Sequence, residues 1–347
     1  MDVTPAPRTP LAVLPTPLVA APRLAAALGL PGPLLVKRDD LTGFAVGGNK
    51  IRQLELLVGQ ALEEGADVLV AGGSVGSNFV AAAAVAAQRV GLRYVVVLAG
   101  PAVAALTHPN LAAALAWGAQ PYWTGDPDRA SVDRMLPRVA AELAASGHRP
   151  YVTPRGGANA TGTIGFRLAF DELLDQLRPG AVAGTVVVAT GSGGTLAGLV
   201  AGAVAHARPL TIVGVSVSRP VDQVTAAVLR LAREVAAGRG EPAAGPGDVH
   251  LVDGRGPGHG IASTAGAAAA ELALRTEGLV LDPVYTAKAL AALPDAVGPG
   301  PTVFWHTGGL FDAVAELLAS PVPTGVAEAM DLTEPMDLAE PMDEEHS

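Results

Sequence analysis

No cysteine occurs anywhere in the 347 residues. That excludes disulfides, thiolate metal sites and cysteine nucleophiles together. Lysine is nearly as scarce: of 23 basic residues only Lys37, Lys50 and Lys288 are lysines. Any chemistry that needs an amine side chain therefore has three candidates. A basic excess is also missing. The formal charge is −10, but residues 321–347 hold eight Asp or Glu and no Lys or Arg, which leaves 25 acids against 23 bases in the rest. A near-neutral body without a cationic face does not read as a nucleic-acid binder. Long apolar runs are lacking too. Two long uncharged stretches, Val68–Gln88 and Tyr94–Gly125, are broken by Gly72, Gly73 and Gly76 and by Pro101, Pro109 and Pro121. Neither is a continuous apolar span of about 20 residues, so no membrane helix is expected. The proline-rich start, with an acid at position 2, does not read as a secretory signal. The expectation is a soluble, cytoplasmic protein.

What is present is a rhythm. Apolar runs that suit strands (33–40, 67–73, 94–100, 185–190, 210–218, 302–306) alternate with helical patterns (77–90, 111–117, 129–145, 195–207). Such alternation, with strands apolar on both faces, implies an α/β protein with parallel sheets covered by helices. Ligands in such folds sit at the carboxyl ends of the strands. The length corresponds to about two domains. Residues 238–247 read as a loop, and the repetitive acidic tail from 321 reads as disordered, since it cannot bury enough to offset its ordering entropy.

Several segments could carry chemistry. In KRDDLTGFAVGGNKIRQLE, 37–55, a glycine pair and Asn49 precede Lys50, which opens a helix. The positive end of the helix dipole and desolvation both lower an amine pKa, and a neutral amine attacks an aldehyde. The competing reading is a surface lysine in a charge cluster with Asp39 and Asp40. In ATGSGGTLAGL, 189–199, residues Thr190, Gly191, Ser192, Gly193, Gly194 and Thr195 follow a strand and open a helix, a place for a phosphate. The Gly-Lys-Ser/Thr ending of a Walker loop is absent. Ser77 and Asn78, at another strand-to-helix junction, suit a helix cap or a ligand contact. RGGANATGTIGF (155–166), LDPVYTAKAL with Tyr285, and FWHTGGL with His306 and Thr307 complete the set. No metal-ligand pattern is present.

Taken in order from Thr16 to Leu318, these segments resemble the D-cysteine desulfhydrase / 1-aminocyclopropane-1-carboxylate deaminase family of the tryptophan-synthase-β-like fold. The resemblance implies two open, doubly wound α/β domains with pyridoxal 5′-phosphate in the cleft: a larger one of residues 1–51 plus 162–320 and a smaller one of 52–161. It implies Lys50 as the Schiff-base lysine and Cα base. Asn78 would contact the cofactor ring, residues 190–195 the 5′-phosphate, and Thr307 the pyridine nitrogen. Ser77 would meet the substrate, and Tyr285 the leaving group. The implied reaction is α,β-elimination from a β-substituted amino acid to a 2-oxo acid and ammonia, in a homodimer. Thr286 and the sequence His-Thr-Gly-Gly resemble the desulfhydrase branch. The alternatives are cyclopropane ring opening, β-replacement, cysteate lysis, or a non-catalytic paralogue that only holds the cofactor. A nucleotide-binding oxidoreductase would need a ribose-binding acid after a glycine fingerprint, and none follows Gly72 or Gly191. Departures from the family pattern are Phe79, Gly76, Gln53, and His259 where the family carries a substrate-facing tyrosine. A histidine there is expected to titrate near neutrality.

Overall fold

The computed structural model describes residues 7–102, 108–177, 184–207 and 210–319. The acidic tail lies outside them. In chain order the strands are β1 (Leu18–Ala20), β2 (Leu34–Arg38), β3 (Val68–Gly73), β4 (Arg93–Leu98), β5 (Ala119–Trp123), β6 (Pro150–Val152), β7 (Gly184–Thr190), β8 (Leu210–Ser216), β9 (His250–Asp253) and β10 (Thr302–His306). The helices are α1 (Pro22–Ala27), α2 (Lys50–Glu63), α3 (Asn78–Val90), α4 (Pro109–Ala116), α5 (Ala130–Ala145), α6 (Ala160–Gln176), α7 (Gly194–Ala205), α8 (Val221–Arg239), α9 (Thr264–Glu277), α10 (Thr286–Ala291), α11 (Leu293–Ala296) and α12 (Leu310–Ala319). Among the described residues no helix is long and apolar enough to cross a membrane.

The strands form two sheets, ordered β1-β2-β10-β7-β8-β9 and β5-β4-β3-β6. Every pairing is parallel except that of β1 with β2. The expected mostly parallel α/β architecture is therefore present. Each sheet is apolar on both faces for a visible reason. In the smaller sheet Leu69, Ala71, Val96 and Leu98 enter one cluster, with α2 and α3, while Val68, Val70, Val95 and Val97 enter another under α5. In the larger sheet Val186, Val188 and Trp305 face α6, α7 and α8, and Val187 and Phe304 face the opposite side with α1, α9 and α10. Alternating side chains of one strand thus fill two cores, which is why these strands read as unbroken apolar runs.

The expected loop at 238–247 begins later than the sequence suggests. Helix α8 continues through Gly238 to Arg239 and ends at Gly240, whose φ of 65° gives a left-handed cap. Gly238 is tolerated in the last turn at a modest propensity cost.

One buried ionic network fixes the start of α2. Arg52 donates to both carboxylate oxygens of Asp39, at 2.8 and 2.9 Å, and to Glu172 of α6, at 2.8 and 3.0 Å. Lys37 donates to Glu172, to Gln176 and to the Thr16 carbonyl. The Trp305 indole N–H donates to Asp39 at 2.8 Å. Asp39, Lys37 and Trp305 are fully buried. Residues distant in sequence thus meet where β2, β10, α2 and α6 converge, directly behind Lys50.

Candidate active site

The carboxyl ends of β2, β3, β7 and β10 open onto a cleft of about 270 Å³. Its lining includes Lys50, Ser77, Asn78, Thr190, Gly191, Ser192, Gly193, Thr195, His259, Tyr285 and Thr307, but not His306, Thr286, Gly76 or Gln53. Gly194 opens α7 at the edge of the same loop.

Lys50 occupies the first position of α2. Its placement depends on a close approach of two backbones. Asn49 N–H donates to the Thr307 carbonyl at 3.0 Å, and Gly48 N–H to the Asp39 carbonyl at 3.0 Å. A Cβ on Gly308 would lie 2.6 Å from the Gly48 Cα, and both glycines have φ above 90°. Only glycine fits that crossing. It sets the end of β10 beside the start of α2 and so brings Thr307 to Lys50.

Of the three lysines, Lys50 alone has no hydrogen-bond or ion-pair partner among the described residues. Lys37 belongs to the buried network. Lys288 donates to the carbonyls of Arg255 and Gly258, at 2.8 Å each, and holds the turn that carries His259. The charge-cluster reading of Lys50 does not hold: Asp39 serves Arg52, and Asp40 pairs with Arg38. Burial lowers the Lys50 amine from 10.5 to about 8. Capture of an added aldehyde by the cofactor-free protein should therefore speed up as pH rises through about 8, following the neutral amine. Absorbance stopped-flow between pH 6.5 and 10 reads this directly. A midpoint near that of an ordinary lysine would contradict it.

Across the cleft the loop 190–195 forms a cradle. Gly193 adopts φ 98° as the N-terminal residue before α7, and no side chain caps that helix. A Cβ on Gly194 would meet the Gln53 amide nitrogen at 2.8 Å. The Gln53 side-chain oxygen is buried without a partner. Its nitrogen donates to the Gly157 carbonyl at 3.5 Å, so the side chain stands beside the cradle with only its oxygen unpartnered. Asn49 donates to the Thr195 hydroxyl at 3.0 Å, which joins the Lys50 segment to this loop. Thr190 donates its own hydroxyl back to the Val188 carbonyl at 3.2 Å and presents backbone to the cavity. A glycine-lined helix start, free N–H groups and a desolvated amine fit a phosphorylated aldehyde.

Ser77 precedes α3, yet its side chain makes no capping bond there, so the hydroxyl remains available to a ligand. Tyr285 is aimed by Asp282, whose carboxylate accepts from the N–H groups of Val284, Tyr285 and Thr286 at 2.7 to 3.0 Å. Burial and the Asp282 charge push the Tyr285 phenol up to about 12. His259 Nε2 lies 3.3 Å from the Tyr285 hydroxyl, with the rings edge-on. Here the near-neutral expectation fails. Burial, with the charges of Arg129 and Lys288, brings His259 down to about 4, so the imidazole is neutral at physiological pH.

Besides Arg230 of α8, three arginines without a role in the sequence reading line the cleft: Arg129, Arg155 and Arg219. Each follows the carboxyl end of a parallel strand (β5, β6 and β8) by a few residues. That position, rather than any local motif, is the signal that marks them.

A profile describing pyridoxal-phosphate-dependent enzymes matches residues 9–308. The D-cysteine desulfhydrase of Salmonella typhi is 39% identical over 318 residues, covering 87% of this chain and 94% of that protein. A solved ACC deaminase homologue superposes with TM-score 0.83 at 34% identity, over 91% of this chain and 96% of its own. A pyridoxal 5′-phosphate-dependent aspartate racemase, at 17% identity and TM-score 0.62 over 85% of this chain and 90% of its own, shares the fold. Matched by this profile over most of its length and 39% identical to the desulfhydrase, this chain belongs to the pyridoxal-phosphate-dependent enzyme family.

Proposed function

We propose that the protein is a pyridoxal-phosphate-dependent lyase that removes ammonia and a β-substituent from an amino acid, as the name of its D-cysteine desulfhydrase relatives suggests. The observation that carries this reading is the single amine in the cleft with no partner of its own and a depressed pKa. Bound pyridoxal phosphate supplies an electrophilic aldehyde and a ring that accepts the electron pair left when Cα loses its proton.

This chain's residues divide the remaining work. Lys50 holds the cofactor and takes the Cα proton, for which an amine near 8 is well matched to neutral pH. Gly191, Ser192, Gly193, Gly194 and Thr195 hold the 5′-phosphate, with Gln53 beside them. Asn78 meets the ring, and Ser77 the substrate carboxylate. Thr307, at the end of β10 in the cleft, would offer the ring nitrogen a neutral hydroxyl. Tyr285, kept as a neutral phenol, stands with neutral His259 where the β-substituent departs and can give it a proton. A homodimer divided into domains of 1–51 plus 162–320 and 52–161, as the resemblance implies, and a cytoplasmic location, as the N-terminal sequence suggests, belong to the same proposal.

The experiment is a 2-oxo acid and ammonia assay of the cofactor-loaded enzyme with D-cysteine, L-cysteine, β-chloroalanine, cysteate and aminocyclopropane carboxylate. Pyruvate from a β-substituted amino acid is the expected result. Release of 2-oxobutyrate from the cyclopropane alone would replace elimination with ring opening, and no product from any of them would contradict catalysis.

A further inference from the structure

The cleft carries more positive charge than the cofactor reading has used. Arg129, Arg155, Arg219 and Arg230 line it, against a single carboxylate, Asp133. The partners of these groups separate them. Arg155 is committed to Asp133 through two bonds of 2.6 and 2.8 Å. Arg219 donates to the carbonyls of Gly191 and Ser192, at 3.1 Å each, on the outer side of the cradle. Arg230 is exposed and pairs with Glu234. The Arg129 side chain has no hydrogen bond or ion pair among the described residues, and its Nε is buried without any partner.

Arg129 is half-buried, and leaving its buried Nε without a partner is costly; a ligand that completes it recovers that cost. Here the cost is compounded, since burial and the nearby Arg155 both disfavour the Arg129 charge. Its field reaches Tyr285 and His259. Those are the two groups placed at the departing β-substituent, so Arg129 belongs to that end of the cleft.

We propose that Arg129, with Arg155 and Arg219 beside it, receives an oxyanion on the substrate's β-carbon, so that the preferred substrates are amino acids bearing a β-sulfonate or a β-phosphate ester. This rests on the elimination reading and sharpens it. A guanidinium binds such a group through two parallel charge-assisted bonds and stabilises the charge that grows on it as it leaves. For a sulfonate the balance is simple. The Cα proton is removed, the Cβ–S bond breaks with its electron pair leaving on sulfur, and water replaces nitrogen at Cα. One water is consumed, and pyruvate, ammonium and bisulfite result, with no oxidant or reductant required.

The test compares the cofactor-loaded wild type with Arg129→Gln and Arg129→Lys. The substrates are D- and L-cysteate, D- and L-O-phosphoserine and, as a substrate with an uncharged leaving atom, β-chloroalanine. The wild type should favour an anionic substrate in kcat/KM. Arg129→Gln should lower that value at least 100-fold more for the anionic substrate than for β-chloroalanine, with Arg129→Lys intermediate. Calorimetric binding of 3-sulfopropionate, which cannot react, should weaken at least tenfold in Arg129→Gln. That binding is read without turnover, so it tests the receptor even if elimination itself is not observed. Equal losses for charged and uncharged substrates would overturn the proposal. A Gln variant that binds 3-sulfopropionate normally but releases pyridoxal phosphate tenfold more readily would also overturn it, assigning the guanidinium to the cofactor phosphate.

Discussion

Lys50→Ala loses pyruvate-forming activity by about 10⁴-fold or more, and the purified variant lacks the absorbance band of enzyme-bound cofactor near the visible edge. The size follows from two roles lost together, covalent attachment of the cofactor and proton abstraction. Positioned acid–base catalysis alone is worth about 10² to 10⁴. No other amine can substitute. Lys37 is locked to Glu172 and Gln176, and Lys288 to two carbonyls. The fold should survive, because Lys50 contributes no bond to the ionic network or the cores; an unchanged urea midpoint checks this. A variant that keeps more than about one per cent of activity would show that the base is another group.

Arg52→Met is expected to be the most damaging single change to stability, at about 3–5 kcal/mol in urea unfolding. It strips the counter-charge from buried Asp39 and leaves Glu172 with Lys37 alone. A second change, Asp39→Asn, should restore part of the loss, since it removes the stranded charge. The pH dependence has a definite sign. Burial would raise the Glu172 carboxyl, but bonds and charge from Arg52 and Lys37 outweigh that and hold it at about 2 against an ordinary 4.5. Its contribution is therefore complete above pH 4.5 and is lost as pH falls through 2. In Arg52→Met that protection shrinks, so stability should begin to fall at a higher pH than in the wild type. A loss below about 1 kcal/mol would mean the network is solvated and weak.

Some of this was legible in the sequence for physical reasons. The strands could be read because each is covered on both faces, so β3, β4 and β7 appear as unbroken apolar runs. Lys50 stood out because amines are rare and because GGN precedes it, a signature of the backbone crossing with Gly308. The three-residue β1 and β6 and the half-exposed β9 carry too few apolar side chains to announce themselves. The ionic network was invisible because its bonded members lie up to 266 residues apart, as Asp39 and Trp305 do. Local reading placed Asp39 beside Lys50, whereas the fold gives it to Arg52. Arg129, Arg155 and Arg219 are ordinary arginines until three strand ends bring them to one cavity. The His259 expectation failed for a related cause: proximity in sequence says nothing of Arg129, the distant cation that helps keep it neutral.

The central claim is that the amine of residue 50 carries the cofactor. The direct measurement is borohydride reduction of the cofactor-loaded protein, followed by proteolysis and mass spectrometry of the lysine-containing peptides. The phosphopyridoxyl group should appear on Lys50, with Lys37 and Lys288 unmodified. A label on either of those two instead, or an intact protein with no label after reduction, would contradict the account.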